Sequence, residues 1–123
     1  MTPRISLKIQ LDPVTRLGRG KAELLAGIRE TGSIAAAGRR MGMSYKRAWQ
    51  LIAELNSCFA EPVVTTARGG SAHGGAALTP TGEAVLAAYD HMLQATERAI
   101  AEDLGRLDAL MAVRTVAPAR TGD

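Results

Sequence analysis

Apolar and polar residues alternate strictly from Arg4 to Leu11. Ile5, Leu7, Ile9 and Leu11 fall on one face, and Arg4, Ser6, Lys8 and Gln10 on the other. A period of two is that of a half-buried β-strand, which Asp12-Pro13 ends. The period then lengthens. Leu24, Leu25 and Ile28 recur at helical spacing within residues 19–31, and Gly32 follows as a C-cap. Ser33 is placed to cap a second helix, Ile34 to Met41, with Ile34, Ala37 and Met41 on its apolar face. Gly42-Met43 makes a tight turn. Ser44 caps a third helix that runs to about Phe59, and Pro62 prevents its continuation.

Residues Val63 to Ala67 are β-branched and strand-like. The segment Arg68 to Gly75 has four glycines in eight residues and reads as a hairpin tip, from which Ala76 to Leu78 return as a second strand. Thr79 or Thr81 then caps a long helix with Pro80 in its first turn. Along it Leu86, Tyr89, Leu93, Ile100, Leu104, Leu107 and Met111 recur every three to four residues, a stripe suited to dimerisation. Gly105 costs ~1 kcal/mol relative to Ala inside a helix and marks a possible kink. The expected fold is mainly α with a small β component. A winged helix-turn-helix occupies residues 1–80, a long C-terminal dimerisation helix residues 81–114, and a polar, proline-containing disordered tail residues 115–123.

Stepping ~100° per residue around the third helix puts Ala48, Ile52, Leu55 and Phe59 on one stripe, with Leu51 and Tyr45 at its margins. Lys46, Gln50 and Ser57 lie opposite, with Arg47 and Trp49 on the flanks. Ser44, Lys46, Arg47 and Gln50 therefore crowd the outward N-terminal end, where a recognition helix contacts phosphates and major-groove base edges. Gly38 lets the second helix pack closely on the third, and Gly42 makes the turn. Arg39 and Arg40 lie on the outer side of the second helix, where it would cross the DNA backbone. Trp49 has two readings: it stacks on a sugar or base, or, as flanking tryptophans more often do, it closes the core under the wing. Tyr45 also has two, because its ring can pack inward while its hydroxyl reaches a phosphate.

Charge sharpens this picture. Residues 1–70 hold 11 basic and 5 acidic side chains and residues 71–123 hold 4 and 7, a net of +6 against −3 that the whole-chain value of +3 conceals. The basic half suits a polyanion such as double-stranded DNA. At 123 residues the chain is one domain's worth. It has no apolar run near the ~20 residues of a membrane span and no signal-peptide region, so a cytoplasmic protein is expected. A single cysteine, Cys58, forms no intrachain disulfide and reads as an inert, partly buried thiol. His73 and His91 stand apart without ligand clusters. The glycine loop lacks the Lys-Ser/Thr of a P-loop, and no nucleophile–base pair or paired carboxylates appear, so neither enzyme nor cofactor is expected. The alternative is a winged-helix module that binds a protein partner and does not read DNA.

Gly32-Ser-Ile34, Met41-Gly-Met-Ser-Tyr-Lys46, Ala48-Trp49, Gly69-Gly70, Gly74-Gly-Ala76 and Leu78-Thr79 together resemble the DNA-binding domain of the ModE family. These are bacterial, molybdate-responsive transcription regulators whose winged helix is related to that of LysR-type regulators. The resemblance spans roughly residues 5–95. It implies a homodimer on an inverted-repeat operator, with Tyr45, Lys46 and the wing at the DNA. Combined with the helix reading, the DNA-facing set is Ser33, Arg39, Arg40, Ser44, Tyr45, Lys46, Arg47 and Gln50, with Arg68, Gly69, Gly70, Ser71 and His73 on the wing. Ser71 stands where the family's wing usually carries a lysine. Full-length members continue into molybdate-binding domains that this 123-residue chain does not reach, so a stand-alone form is expected and molybdate binding is not.

Overall fold

A computed structural model describes residues 3–67 and 75–112. The chain begins extended, with Ile5, Leu7, Ile9 and Leu11 half-buried and the residues between them exposed, as the alternation requires. Only β1 (Ile9–Gln10) forms a ladder, and it pairs antiparallel with β2 (Arg16–Leu17), Ile9 opposite Leu17. Asp12-Pro13 therefore turns a hairpin, and the expected single strand over 4–11 is corrected to a short arm of one. The Asp12 carboxylate builds the turn by accepting from the backbone N–H groups of Val14 (2.9 Å) and Thr15 (2.7 Å). Those bonds, Val14's first, favour the ionised form and hold the carboxyl below its ordinary pKa of 3.8.

Three helices follow, and small residues set how closely they cross. α1 (Arg19–Thr31) buries Ala22, Leu24, Leu25, Gly27 and Ile28, and ends at Gly32, whose N–H bonds to the Ile28 carbonyl at 2.8 Å. α2 (Ile34–Arg40) is capped by the Ser33 hydroxyl, which accepts from Ala36 N–H at 3.0 Å. Gly38 on α2 lies so close to α3 (Tyr45–Cys58) that a Cβ there would stand 3.0 Å from the Ala48 Cβ. Between them Gly42 takes φ 73°, a left-handed conformation that favours glycine, and Met43 N–H returns to the Gly38 carbonyl at 3.0 Å. Ser44 caps α3 through Arg47 N–H, and Ala48, Leu51, Ile52 and Leu55 face the core.

The expected hairpin forms as β3 (Val64–Ala67) and β4 (Gly75–Leu78), antiparallel with Val64 opposite Leu78 and Ala67 opposite Gly75. Ala76 N–H donates to the Gly32 carbonyl at 2.9 Å, which ties the hairpin to the α1–α2 corner. α4 (Pro80–Ala99) is capped by Thr79, whose hydroxyl accepts from Gly82 N–H at 2.9 Å and donates to the Pro62 carbonyl at 2.6 Å. Val85, Leu86 and Tyr89 close the core, and the buried Tyr89 hydroxyl donates to the Leu7 carbonyl at 2.8 Å. Beyond Leu93 the helix no longer touches this core. It breaks at Ile100 (φ −108°, ψ 10°) before α5 (Ala101–Leu110), and the expected kink at Gly105 is absent, Gly105 lying within α5. One turn before the break the Thr96 hydroxyl donates back to the Met92 carbonyl at 2.7 Å, a bond of the kind that competes with the helix ladder.

Gly82 meets the turn into β3 so closely that a Cβ would stand 2.1 Å from the Val63 carbonyl oxygen, a fixed backbone atom. Gly82→Ala should therefore destabilise the fold by about 1–3 kcal/mol, the usual cost of forced overpacking. A lower urea midpoint with an unchanged slope checks it, and an unchanged midpoint would show that the contact relaxes freely.

Candidate nucleic-acid interface

The outward surface of α3 follows from its buried stripe. With Ala48, Leu51, Ile52 and Leu55 turned inward, Ser44, Tyr45, Lys46, Arg47 and Gln50 are all exposed along its first turns. Phe59, expected on the core stripe, is half-buried at the helix end. The Ser44 hydroxyl is engaged as the cap, which leaves Lys46, Arg47 and Gln50 as the groups presented outward. Arg39 and Arg40 are exposed at the end of α2, just before the turn.

Among the described residues, no carboxylate lies within 4.0 Å of Lys46, Arg47 or Arg39. The one acidic residue of α3, Glu54, pairs with Lys21 at 3.3 Å. Arg40 reaches Glu30 at 2.8 Å, with both side chains more than half exposed. Such a pair holds weakly, so Arg40 can exchange that carboxylate for another anion at little cost.

Tyr45 and Trp49 sit one turn apart on the flank of α3, and Trp49 Nε1–H donates to the Tyr45 hydroxyl oxygen. Trp49 is 38% exposed and Tyr45 55%, so the expectation that Trp49 closes the core is corrected. Val63, Val64 and Ile52 already fill the space under the hairpin, which leaves the indole at the rim. The two rings line an open cleft of about 210 Å³, whose other walls are the start of α2 at Ser33 and Ile34 and the hairpin arms at Thr66 and Ala76. Ser33 is thus drawn into the neighbourhood of Tyr45, 12 positions away in sequence. The hairpin-tip candidates Arg68, Gly69, Gly70, Ser71 and His73 lie outside the described residues, as does the expected tail over 115–123.

The apolar stripe of the C-terminal helix divides. Leu86 and Tyr89, expected on a dimer face, are buried in the protomer's own core, and Leu93 packs against its edge. The correction has a plain cause: the three-helix unit needs an apolar lid, and the first turns of α4 supply it. Ile100 and Leu104 are half-buried, while Leu107 (54%) and Met111 (51%) are exposed, together with Leu110 (79%), which the spacing argument passed over. Among the described residues, no group of three His, Cys, Asp or Glu side chains could hold a metal ion. Cys58 is half-buried beside Asp12, and burial first, then the Asp12 carboxylate, raises its thiol pKa.

Asn56 is a positioning residue that sequence reasoning missed. Its Oδ1 accepts from Val63 N–H (2.8 Å) and Val64 N–H (3.2 Å), and its Nδ2 donates to the Val64 carbonyl at 3.3 Å. One side chain thereby fixes the start of the hairpin relative to α3. A polar residue next to the buried stripe, just before a strand, was the available signal.

Residues 21–83 match the family model described as bacterial regulatory helix-turn-helix protein, lysR family. The chain is 54% identical over 74 residues to the molybdenum-pterin-binding protein MopB of Rhodobacter capsulatus, covering 60% of this chain and 27% of MopB. It is 34% identical over 115 residues to the transcriptional regulator ModE of Yersinia pestis, covering 91% of this chain and 44% of ModE. It is 33% identical over 99 residues to the DNA-binding transcriptional dual regulator ModE of Escherichia coli, covering 80% and 36%. The chain thus spans less than half the length of these relatives. Among solved structures, the CbnR DNA-binding domain in complex with DNA aligns at TM-score 0.54 and 22% identity, over 73% of this chain and 95% of that one, which confirms the fold. No helix among the described residues is long and apolar enough to cross a membrane.

Asn56→Ala removes the acceptor for two backbone N–H groups, and each donor left unsatisfied in a part-buried site costs about 1–3 kcal/mol. Amide exchange at Val63 and Val64 should accelerate far more than exchange at Leu24 and Leu25 in α1. Equal acceleration at all four would mean that Asn56 stabilises the whole domain and not the hairpin root.

Proposed function

Because the chain belongs to the bacterial regulatory helix-turn-helix family of lysR type, we propose that it reads DNA sequence for a transcription regulator and does so as a homodimer. The observation that carries this reading is the exposed N-terminal face of α3. There Lys46, Arg47 and Gln50 project without a carboxylate partner among the described residues. Lys and Arg bond guanine O6 and N7 or phosphate, and Gln bonds adenine N6 and N7. Arg39 and Arg40, at the end of α2, meet the backbone as that helix crosses it. The wing residues Arg68 to His73 add contacts beside the groove.

The C-terminal helices support the dimer. Leu107, Leu110 and Met111 on and just after α5 expose apolar surface that no other described residue covers, and Ile100 and Leu104 continue it. A two-fold pair joined there sets its two α3 helices into major grooves ~34 Å apart. The regulated genes, on the names of the ModE and MopB relatives, concern molybdenum. Selection and sequencing of genomic fragments bound by the protein tests that link, which fails if no gene for molybdenum handling adjoins the selected sites.

Lys46→Ala and Arg47→Ala should each weaken binding to duplex DNA. A phosphate contact lowers the salt slope by about one for every sequence, whereas a guanine contact costs ~1–3 kcal/mol at one base position. Unchanged affinity and slope in both variants would overturn the assignment of α3. Leu107→Asp combined with Met111→Asp should convert a dimer at micromolar concentration into a monomer by sedimentation, with the helical content of the remaining domain retained. A wild-type protein that sediments only as a monomer would overturn the dimer.

A further inference from the structure

Tyr45 carries one hydroxyl proton, and its neighbour decides where that proton points. The indole Nε1 of Trp49 is a donor only, so in their hydrogen bond the tyrosine oxygen is necessarily the acceptor. The Tyr45 proton is therefore directed away from Trp49, and among the described residues it meets no acceptor. The Tyr45 ring is more than half exposed and is not held by burial, whereas Trp49 is the more covered of the two. Their mutual bond is what fixes the direction of the hydroxyl.

A helix in the major groove has a sugar–phosphate strand along each flank. The flank of α3 that carries Tyr45 and Trp49 is the one faced by the β3–β4 hairpin across the cleft. The strand on that side must pass between helix and hairpin. Among the described residues, every one that lines the cleft is uncharged, and its side-chain hydroxyls come from Ser33, Tyr45 and Thr66. Ser33 Oγ accepts from Ala36 N–H as a helix cap and keeps its own proton for donation. A phosphate seated there is held by neutral hydroxyls, in contrast to the cations at Lys46 and Arg47.

Resting on the reading of α3 as the DNA-facing helix, we propose that Trp49 is a positioning residue that presets the Tyr45 hydroxyl as a neutral donor to one backbone phosphate of duplex DNA, the phosphate that lies in the cleft between α3 and the hairpin. The contact secures the docking angle of the helix and reads no base. It also leaves a distinctive electrostatic trace: a neutral donor releases no counterion, so it adds affinity without adding to the salt slope.

Binding of wild type, Tyr45→Phe, Trp49→Phe and the double variant is measured against salt, on a duplex selected from genomic fragments and on a random-sequence duplex. Circular dichroism verifies that each variant is folded. Tyr45→Phe should weaken binding roughly tenfold, as loss of a hydrogen bond to a charged group does, equally on both duplexes and with unchanged salt slope. Trp49→Phe should weaken it several-fold, and the double variant should bind no worse than Tyr45→Phe alone. Trp49 is the only tryptophan, so its fluorescence should also change when DNA binds the wild type. Tyr45→Phe binding like wild type, or losing affinity on the selected duplex only, would overturn the phosphate contact. Strictly additive losses would overturn the positioning role of Trp49. If Lys46→Ala lowers affinity while Tyr45→Phe does not, this inference alone falls; if no variant alters binding, the DNA-reading role of α3 falls with it.

Discussion

The contact between Gly38 on α2 and Ala48 on α3 determines what this molecule can present. At that crossing Gly38 contributes no side chain, and a single added methyl would stand 3.0 Å from the Ala48 Cβ and 3.4 Å from the Met43 Cγ. The close approach lets Ser44 begin α3 after a turn of only a few residues, and it fixes the rotation of α3 about its own axis. Ala48, Ile52 and Leu55 are then inside, and Lys46, Arg47 and Gln50 have no choice but to be outside. Packing at the back of the helix thus decides the chemistry at its front.

The hairpin is held to the same frame by polar bonds in place of bulk. Asn56 grips its first strand, Ala76 N–H meets the Gly32 carbonyl, and Thr79 links its exit to Pro62 and to the first turn of α4. Gly82 lets α4 lie directly on the Val63 carbonyl. The Asn56 and Thr79 attachments lie at the base of the hairpin and the Ala76 bond lies further along it, so the hairpin keeps a defined distance from α3. The cleft bounded by Tyr45 and Trp49 exists because that distance is fixed. Aromatic side chains at its rim are exposed because the aliphatic residues beneath have already closed the core.

Charge follows the same division. Four cations of the first half, Arg39, Arg40, Lys46 and Arg47, flank the α2–α3 turn, and the only acid on α3, Glu54, pairs with Lys21. The described acids of the second half lie on α4 and α5, where Glu83 is paired with Arg29, and Glu102 and Asp103 with Arg106. A polyanion approaching α3 therefore meets little local repulsion, while the C-terminal helices are left with apolar residues at their far end.

Much of this was readable along the chain because it is local. Helical period, the Ser33 and Ser44 caps, the Gly32 and Gly42 turns and the outward set on α3 all depend on residues within four positions of one another, and the structure agrees with them; between Thr79 and Thr81 as cap of the long helix, the structure decides for Thr79. The sequence also carried the family resemblance, because its motifs are read in order along the chain between Gly32 and Thr79. Tertiary structure decided what depends on which surfaces meet. Periodicity shows that Leu86, Tyr89, Leu107 and Met111 share a stripe, but only the position of the three-helix core makes the first two interior and the last two exposed. It likewise set Trp49 at the rim, gave β1 its partner across the Asp12 turn, and left the helix to break at Ile100, beyond the last support from the core. Local spacing records that a side chain is apolar; burial is settled by distant segments arriving at the same place, and no window along the chain contains them.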